Sequence, residues 1–128
     1  MFVNYSNNIH AITINNTSFP NLKSIVIGSQ SFQNVHVFVV FNLHYLDSLN
    51  IGCKCFRISW NERNDGICRI TNCPNLRQLI IGDDSFEDFQ SFELSNLNSL
   101  QSIKFGDYCL YYADFSLKGE LKERMNEM

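Results

Sequence analysis

The sequence predicts a strand-dominated solenoid of repeated coils, and three observations support this fold class. A twelve-residue motif, Asn75 to Phe86 (NLRQLIIGDDSF), occurs four times, with the other copies beginning at Asn21, Tyr45 and Ser99. Copies separated by 24 or 30 residues are the signature of a repeat architecture. Apolar and polar residues alternate in each copy, as in half-buried strands. Every copy also has a glycine at the same offset: Gly28, Gly52, Gly82 and Gly106.

The repeats divide the chain into a mainly β solenoid of about four and a half 24-residue units, with few or no helices, and a tail. A partial repeat covers 1–18, and four repeats follow at about 19–42, 43–72, 73–96 and 97–118. The partial repeat is expected to keep only a second strand, at Ile12–Ile14. In the last repeat a one-residue shift is needed to place Phe115 and Leu117 in the second strand. Residues 119–128 form a charged tail.

Each repeat is predicted to contain two strands whose inward side chains stack on their equivalents in a short right-handed solenoid. Successive side chains alternate across a strand, so one set of apolar residues points inward. Burying each Phe or Leu contributes roughly 1.5 to 3 kcal/mol. The expected columns of the first strand and its flanks are Ile25, Leu49, Leu79 and Ile103; Ile27, Ile51, Ile81 and Phe105; Leu22, Leu46, Leu76 and Leu100; Phe19, Leu43, Cys73 and Leu97; and Phe32, Phe56, Phe86 and Leu110.

The glycine of each repeat is expected to turn the coil away from the first strand. Glycine lacks Cβ and adopts positive φ readily, so we expect positive φ at these four positions. A phosphate-binding loop is the alternative explanation. A single glycine per repeat lacks the G-x-G-x-x-G context of such a loop, which favours the structural role.

Six extra residues interrupt the repeat between Phe56 and Phe86, within Arg57–Ile67. The segment Asn64-Asp65-Gly66 is typical of a tight turn. Insertions into repeats usually emerge as loops on one face of the stack. This loop contains the only tryptophan, Trp60, together with Arg63, and these two residue types are enriched at protein interfaces. The alternative is that Trp60 folds back over the stack.

The pattern LxxLxSIxIGxxSF resembles leucine-rich repeats, and its IG-then-small-residue-then-Phe ending is most like the BspA-like, surface-protein branch. The resemblance covers about residues 12–117. It implies an arc-shaped solenoid that binds proteins or other ligands on one face, and it implies no catalytic residues. The sequence departs from the family pattern because it lacks a consistent Asn or Cys at the usual buried turn position. It also lacks a helix-forming segment in the convex half.

The cysteines and histidines are candidate site residues. Cys53, Cys55, Cys68 and Cys73 suggest a zinc site, because four thiolates are a common structural ligand set. The repeat register explains most of them better: Cys73 aligns with leucines, Cys68 with phenylalanines, and Cys55 and Cys109 with serines. We therefore predict buried packing thiols and no metal. His10, His36 and His44 share no column with an acid or nucleophile, so no catalytic residues and no cofactor are predicted.

Composition limits the classes of partner. A formal net charge of -3 without a Lys/Arg cluster argues against nucleic acid. No apolar run approaches the roughly 18 to 20 residues of a membrane span, and the start lacks the pattern of a signal peptide. Five cysteines cannot all pair within one chain, which favours a reducing, cytoplasm-like compartment. Asp83, Asp84 and Asp107 follow the glycine and are expected to be solvated turn residues rather than calcium ligands.

Two surfaces are candidates for binding a protein partner. One is the outward stripe of the first strands, Val26, Asn50, Ile80 and Lys104, and the other is the inserted loop with Trp60 and Arg63. A plain solvated sheet face is the alternative for the stripe. The favoured function is a non-enzymatic protein–protein recognition module, and the alternative is a structural or cell-surface adhesive repeat array of which this sequence is a fragment. Neither end resembles a polar capping repeat, so self-association through the solenoid ends is also expected.

Overall fold

A computed structural model describes residues 2–3, 10–58, 66–110 and 113–118, and this part of the chain contains ten strands and no helix. None of the described segments is therefore a helix long and apolar enough to cross a membrane. The strands are β1 (Phe2–Val3), β2 (Ala11–Asn15), β3 (Ser24–Ile27), β4 (Val37–Phe41), β5 (Ser48–Ile51), β6 (Ile67–Thr71), β7 (Gln78–Ile81), β8 (Ser91–Ser95), β9 (Ser102–Phe105) and β10 (Asp114–Lys118).

The strands alternate between two parallel sheets, which confirms the predicted solenoid. The first sheet has the order β1-β3-β5-β7-β9, and the second has the order β10-β8-β6-β4-β2. Each odd strand and the even strand that follows it make one coil, numbered 1 to 5. Equivalent repeat positions pair directly, so that Leu49 lies beside Ile25 on one side and beside Leu79 on the other.

The strands predicted for the first and last repeats agree only in part with the structure. The expectation that the partial repeat keeps only its second strand is wrong, because β1 pairs with β3 and aligns Phe2 with Val26. A two-residue strand is too short to show alternation, so the sequence carried no signal for it. The one-residue shift in the last repeat is confirmed: Phe115 aligns with Phe92, and Leu117 with Leu94. The predicted tail, 119–128, lies outside the described residues.

The core lies between the two sheets, and the predicted columns form most of it, although Phe105 in the last coil is 39% exposed. The inward residues of β5 and β7 are at most 1% exposed. Phe56 and Phe86 stack almost in parallel, with ring centroids 4.6 Å apart and planes 8° from each other. Phe89 meets Phe86 edge to face at 4.9 Å, an arrangement that aromatic pairs favour. Phe19 was placed in a core column, but it is 39% exposed at the N-terminal end of the stack.

The prediction that the repeat glycines adopt positive φ is wrong for three of the four repeats. Gly52, Gly82 and Gly106 do not have positive φ; the requirement is close approach between coils. A Cβ atom on Gly82 would lie 2.6 Å from the carbonyl carbon of Gly52 and 2.7 Å from the nitrogen of Cys53. The glycine N–H also continues the ladder, since Gly82 donates to the carbonyl of Ile51 at 2.8 Å.

Positive φ occurs instead two and four residues after the glycine. The later of these positions holds the phenylalanine column, with φ of 55° at Phe56 and 56° at Phe86. A left-handed conformation costs roughly 1 to 2 kcal/mol for a residue with a Cβ. Burying the ring offsets this cost, because both phenylalanines are 0% exposed. The backbone N–H is also satisfied, since Phe86 donates to the carbonyl of Cys55 at 3.1 Å.

Candidate functional site

The predicted stripe on the first sheet is one continuous row. Strand register places Val26 beside Asn50, Asn50 beside Ile80, and Ile80 beside Lys104. Val26, Asn50 and Lys104 are exposed, and Ile80 is half-buried. Neighbouring strands lie about 4.7 to 4.9 Å apart, so the row crosses four coils as a narrow surface of mixed character. This geometry is suited to contacting an extended surface.

Charged residues lie at the edge of this stripe, where each coil enters the first sheet. Arg77 donates a hydrogen bond through Nε to Oδ1 of Asp47 in the adjacent coil. This hydrogen bond lowers the pKa of the Asp47 carboxyl and raises the pKa of Arg77. Both side chains are exposed, so the pair fixes local charge positions more than it stabilises the fold. Lys23 occupies the same position one coil earlier, since its carbonyl accepts from the N–H of Asp47.

The second predicted surface, Trp60 with Arg63, lies outside the described residues. The structure does describe the root of the insertion. Ile58 and Gly66 are both buried, and a Cβ on Gly66 would lie 3.0 Å from Cδ1 of Ile58. The described residues on either side of the insertion therefore lie close together, between the first-sheet strand β5 and the second-sheet strand β6.

A groove that the sequence did not predict lies at the opposite connection, where the chain passes from the second sheet back to the first. It has a volume of about 430 Å³ and spans three consecutive connections. Two columns line it, one directly after the second-sheet strands and one two residues later: Asn42, Asn72 and Asn96; and His44, Pro74 and Asn98.

The first of these columns, called here the asparagine row (Asn42, Asn72 and Asn96), has left-handed backbone, with φ of 57°, 52° and 54°. The backbone N–H groups of Asn42 and Asn72 donate to Thr71 and Ser95, which ties each turn to the next coil. The sequence carried a signal for the row, because Asn immediately precedes Leu43, Cys73 and Leu97. The row differs from the buried Asn of the leucine-rich-repeat pattern, because Asn72 and Asn96 are exposed.

Four cysteines occupy the packing columns that the register predicted, and of these Cys55, Cys68 and Cys73 are buried. The prediction of buried thiols is wrong for Cys53 and Cys109, which are half-buried. Cys68 aligns with Phe38 and Phe92, and it is 0% exposed. Burial raises the pKa of the Cys73 thiol to about 11 and that of Cys109 to about 12. Among the described residues, no group of three or more His, Cys, Asp or Glu is arranged to hold a metal ion. The absence of a bound metal remains a prediction.

The serine and cysteine column joins the coils by hydrogen bonds. Ser85 Oγ donates to the carbonyl of Gly52 at 2.8 Å and accepts from the N–H of Cys55 at 3.0 Å. Cys55 Sγ makes the equivalent contact to the carbonyl of Gly28 at 3.1 Å. These side chains are buried, so their role is to satisfy the backbone beside the close-packed glycines.

The three histidines lie at two different places in the solenoid, and Asp83 and Asp107 lie in turns. His10 and His36 lie in adjacent coils with ring centroids 5.6 Å apart, whereas His44 lines the groove. Asp83 is a turn residue whose Oδ1 accepts from the N–H of Asp107 at 2.7 Å. This hydrogen bond links two successive turns. The sequence predicts only that the Asp83 carboxylate is solvated.

Comparison of the chain with protein-family models, with curated proteins and with solved structures found no match. The geometry itself defines the class of protein as a short parallel β-solenoid built from repeats of about 24 residues.

Proposed function

We propose that this solenoid is a non-enzymatic recognition module of the leucine-rich-repeat type, most like the BspA-like branch, and that its first-sheet face binds a protein. The observation that carries the proposal is the continuous row of Val26, Asn50, Ile80 and Lys104 across four coils. The inward positions of the same strands are fixed by packing. The outward positions are therefore free to differ between coils, and they do differ in polarity and charge.

The character of the row suggests the chemistry of the partner. Val26 and Ile80 offer aliphatic contact, and Asn50 between them offers hydrogen bonds. Lys104 at one end and Lys23 near the other place positive charge at both ends of the face. A protein surface with exposed aliphatic side chains and flanking carboxylates would complement this pattern. The loop with Trp60 and Arg63 is proposed as a second contact.

The proposal is tested with matched substitutions on the two sheet faces. Ile80→Glu places a carboxylate in the middle of the row, whereas Arg69→Glu changes an exposed outward residue of the second sheet. Both variants are first shown to unfold at the wild-type denaturant concentration. Proteins captured by immobilised wild type are then purified and titrated against each variant. A partner whose affinity falls about tenfold or more with Ile80→Glu alone supports the proposal. Equal affinity for all three proteins refutes it.

A second candidate function, assembly into a repeat array, is favoured by a different observation. In the last described coil, Phe105 and Phe115 occupy inward positions, but they are 39% and 41% exposed. Their rings contact each other edge to face at 5.8 Å. Strand β10 has five residues and so does β2 at the opposite end, so a second copy could continue the second sheet in register. Such head-to-tail contacts form open chains of molecules.

The array candidate is tested by sedimentation velocity over a range of concentrations. Association that grows with concentration, and that Phe105→Lys suppresses, supports stacking at this end. The control is Tyr45→Lys, because Tyr45 is an exposed aromatic, 56% accessible, in the middle of the stack. A monomer at every concentration, or equal suppression by both variants, refutes the array.

A further inference from the structure

We propose that the asparagine-lined groove binds a neutral, hydroxyl-rich ligand, namely a glycan chain lying across three coils. This site is separate from the protein-binding face, and the inference does not rest on it. The groove is lined by residues of two columns that repeat at the spacing of the coils. Its volume of about 430 Å³ lies within the range of roughly 300 to 1,000 Å³ that is usual for small-ligand sites.

The backbone does not by itself account for asparagine at Asn42, Asn72 and Asn96. Asparagine tolerates left-handed φ better than most residues, so the conformation is one reason for its presence. Another column with equally positive φ, 59° to 64°, holds four different residues in its four coils: Gln30, Lys54, Asp84 and Tyr108. The fold therefore accepts varied side chains at left-handed positions. The uniform row of amides supplies a chemistry that the turn does not require.

The amides of the row have hydrogen-bonding capacity for a ligand. Each asparagine side chain offers two donor hydrogens and an acceptor oxygen. Among the described residues, no hydrogen bond engages the side chains of Asn42, Asn72 or Asn96. Asn75 shows the contrasting case at the same connection, because its Nδ2 donates to the carbonyl of His44 and so braces the turn. The row is left to bond solvent or a ligand.

The lining selects a neutral ligand. Among the described residues that form the groove, none is Lys, Arg, Asp or Glu, and His44 is the only titratable side chain. Anions such as phosphate and sulfate are held by Arg, Lys or a helix N-terminus, and the described lining has none of these. Hydroxyl groups both donate and accept, as amides do, so a polyol can satisfy several amides at once. The ring of Pro74 adds an apolar surface for the C–H face of a sugar.

An extended peptide is the main competing ligand, and the groove suits it less well. Peptides in extended form are usually captured by an unpaired strand edge or by pockets for apolar side chains. The strands that end at this groove, β4, β6 and β8, are each paired on both sides within the second sheet. Four of the six lining residues are asparagines, and Pro74 is the one lining residue with a wholly apolar side chain.

The test uses the intact chain and a variant that removes amides without disturbing the backbone. The double substitution Asn72→Gly/Asn96→Gly keeps left-handed φ accessible, because glycine adopts it freely. Lys54→Gly is the matched control, since Lys54 has φ of 59° at the opposite connection. Circular dichroism and thermal unfolding of each protein establish that it is folded. The probes are an array of neutral and anionic oligosaccharides and a parallel array of uncharged extended peptides.

We expect neutral oligosaccharides to bind and anionic ones and peptides not to bind. Calorimetric titration of the best neutral oligosaccharide should then show affinity at least about tenfold lower for the double variant, because two hydrogen-bonding side chains are lost. Lys54→Gly should bind like wild type. The proposal is overturned if no neutral oligosaccharide binds, if only anionic oligosaccharides or peptides bind, or if the double variant retains full affinity. If the double variant does not fold, Asn72→Gly and Asn96→Gly are tested singly, each with a smaller expected loss because each removes one amide, and full affinity in both single variants overturns the proposal.

Discussion

The middle coils and the last described coil contain the same repeat positions but differ in how those positions are covered. Leu79 and Ile81 of β7 are at most 1% exposed. Their equivalents in β9, Ile103 and Phe105, are half-buried and 39% exposed. A residue in the middle has a packed neighbour on each side, whereas one in the last coil has a described neighbour on one side only. Residues at equivalent repeat positions therefore contribute unequally to the free energy of unfolding. The middle coils should contribute more than the last described coil.

The largest expected effect is on the aromatic column. Phe86 contacts Phe56, Phe89 and Phe92 and is 0% exposed, so Phe86→Ala should lower the free energy of unfolding by about 3 to 5 kcal/mol. Phe32→Ala should cost less, because Phe32 contacts Phe56 at a longer 5.5 Å and is 4% exposed. Urea unfolding of both variants measures the difference. Equal losses would show that position along the stack does not matter.

The next effect concerns the close approach of the glycines. Gly82→Ala puts a methyl group against the backbone of Gly52 and Cys53, which cannot rotate away, and we expect a loss of about 2 to 3 kcal/mol. Gly106→Ala meets the nitrogen of Asp83 at 2.6 Å, but it lies in the last coil, which can shift outward. A smaller loss is therefore expected there. Thermal unfolding of both variants measures the difference in stability. A larger loss of stability for Gly106→Ala than for Gly82→Ala would contradict the expectation.

A smaller effect is expected from the buried hydroxyl of Ser85. Ser85→Ala leaves the N–H of Cys55 and the carbonyl of Gly52 without this partner, which should cost about 1 to 2 kcal/mol. Ser85→Cys should retain more stability, because Cys55 makes the equivalent bond to Gly28 one coil earlier. Both are compared with wild type by urea unfolding. Were the two substitutions equally harmful, the hydrogen bond would not be the cause.

The titration of the buried thiols has no effect on stability at neutral pH, and its effect is confined to alkaline conditions. Burial raises the pKa of Cys73 to about 11, so the folded state retains a proton that the unfolded state releases above about pH 9. Stability should therefore fall as the pH rises from about 9 to 11, and be unaffected by this group below pH 9. Cys73→Val should lessen the fall between pH 8 and 10.5, whereas Leu43→Val, which is buried in the same column and carries no titratable group, should not. If stability falls equally with pH in both variants, the fall comes from titratable groups other than Cys73.

The sequence determined the repeat period, the two strands of each full coil and nearly every core column. Repetition shows which residues are equivalent, and alternation shows which side of a strand faces inward. The register that aligns Val26, Asn50, Ile80 and Lys104 follows from the same offsets. The cysteine columns could be predicted for this reason, because a thiol that aligns with leucine or phenylalanine fills the same buried space.

Only the tertiary structure decided what depends on the contact between coils. The repeat glycine was expected to serve the conformation of its own turn, but at Gly82 the constraint comes from backbone 30 residues earlier, at Gly52. The left-handed phenylalanines and the groove with its asparagine row have the same origin. Local patterns report the preferences of single segments. Distances between stacked turns, and the exposure of an end coil, arise only when the coils are assembled against each other.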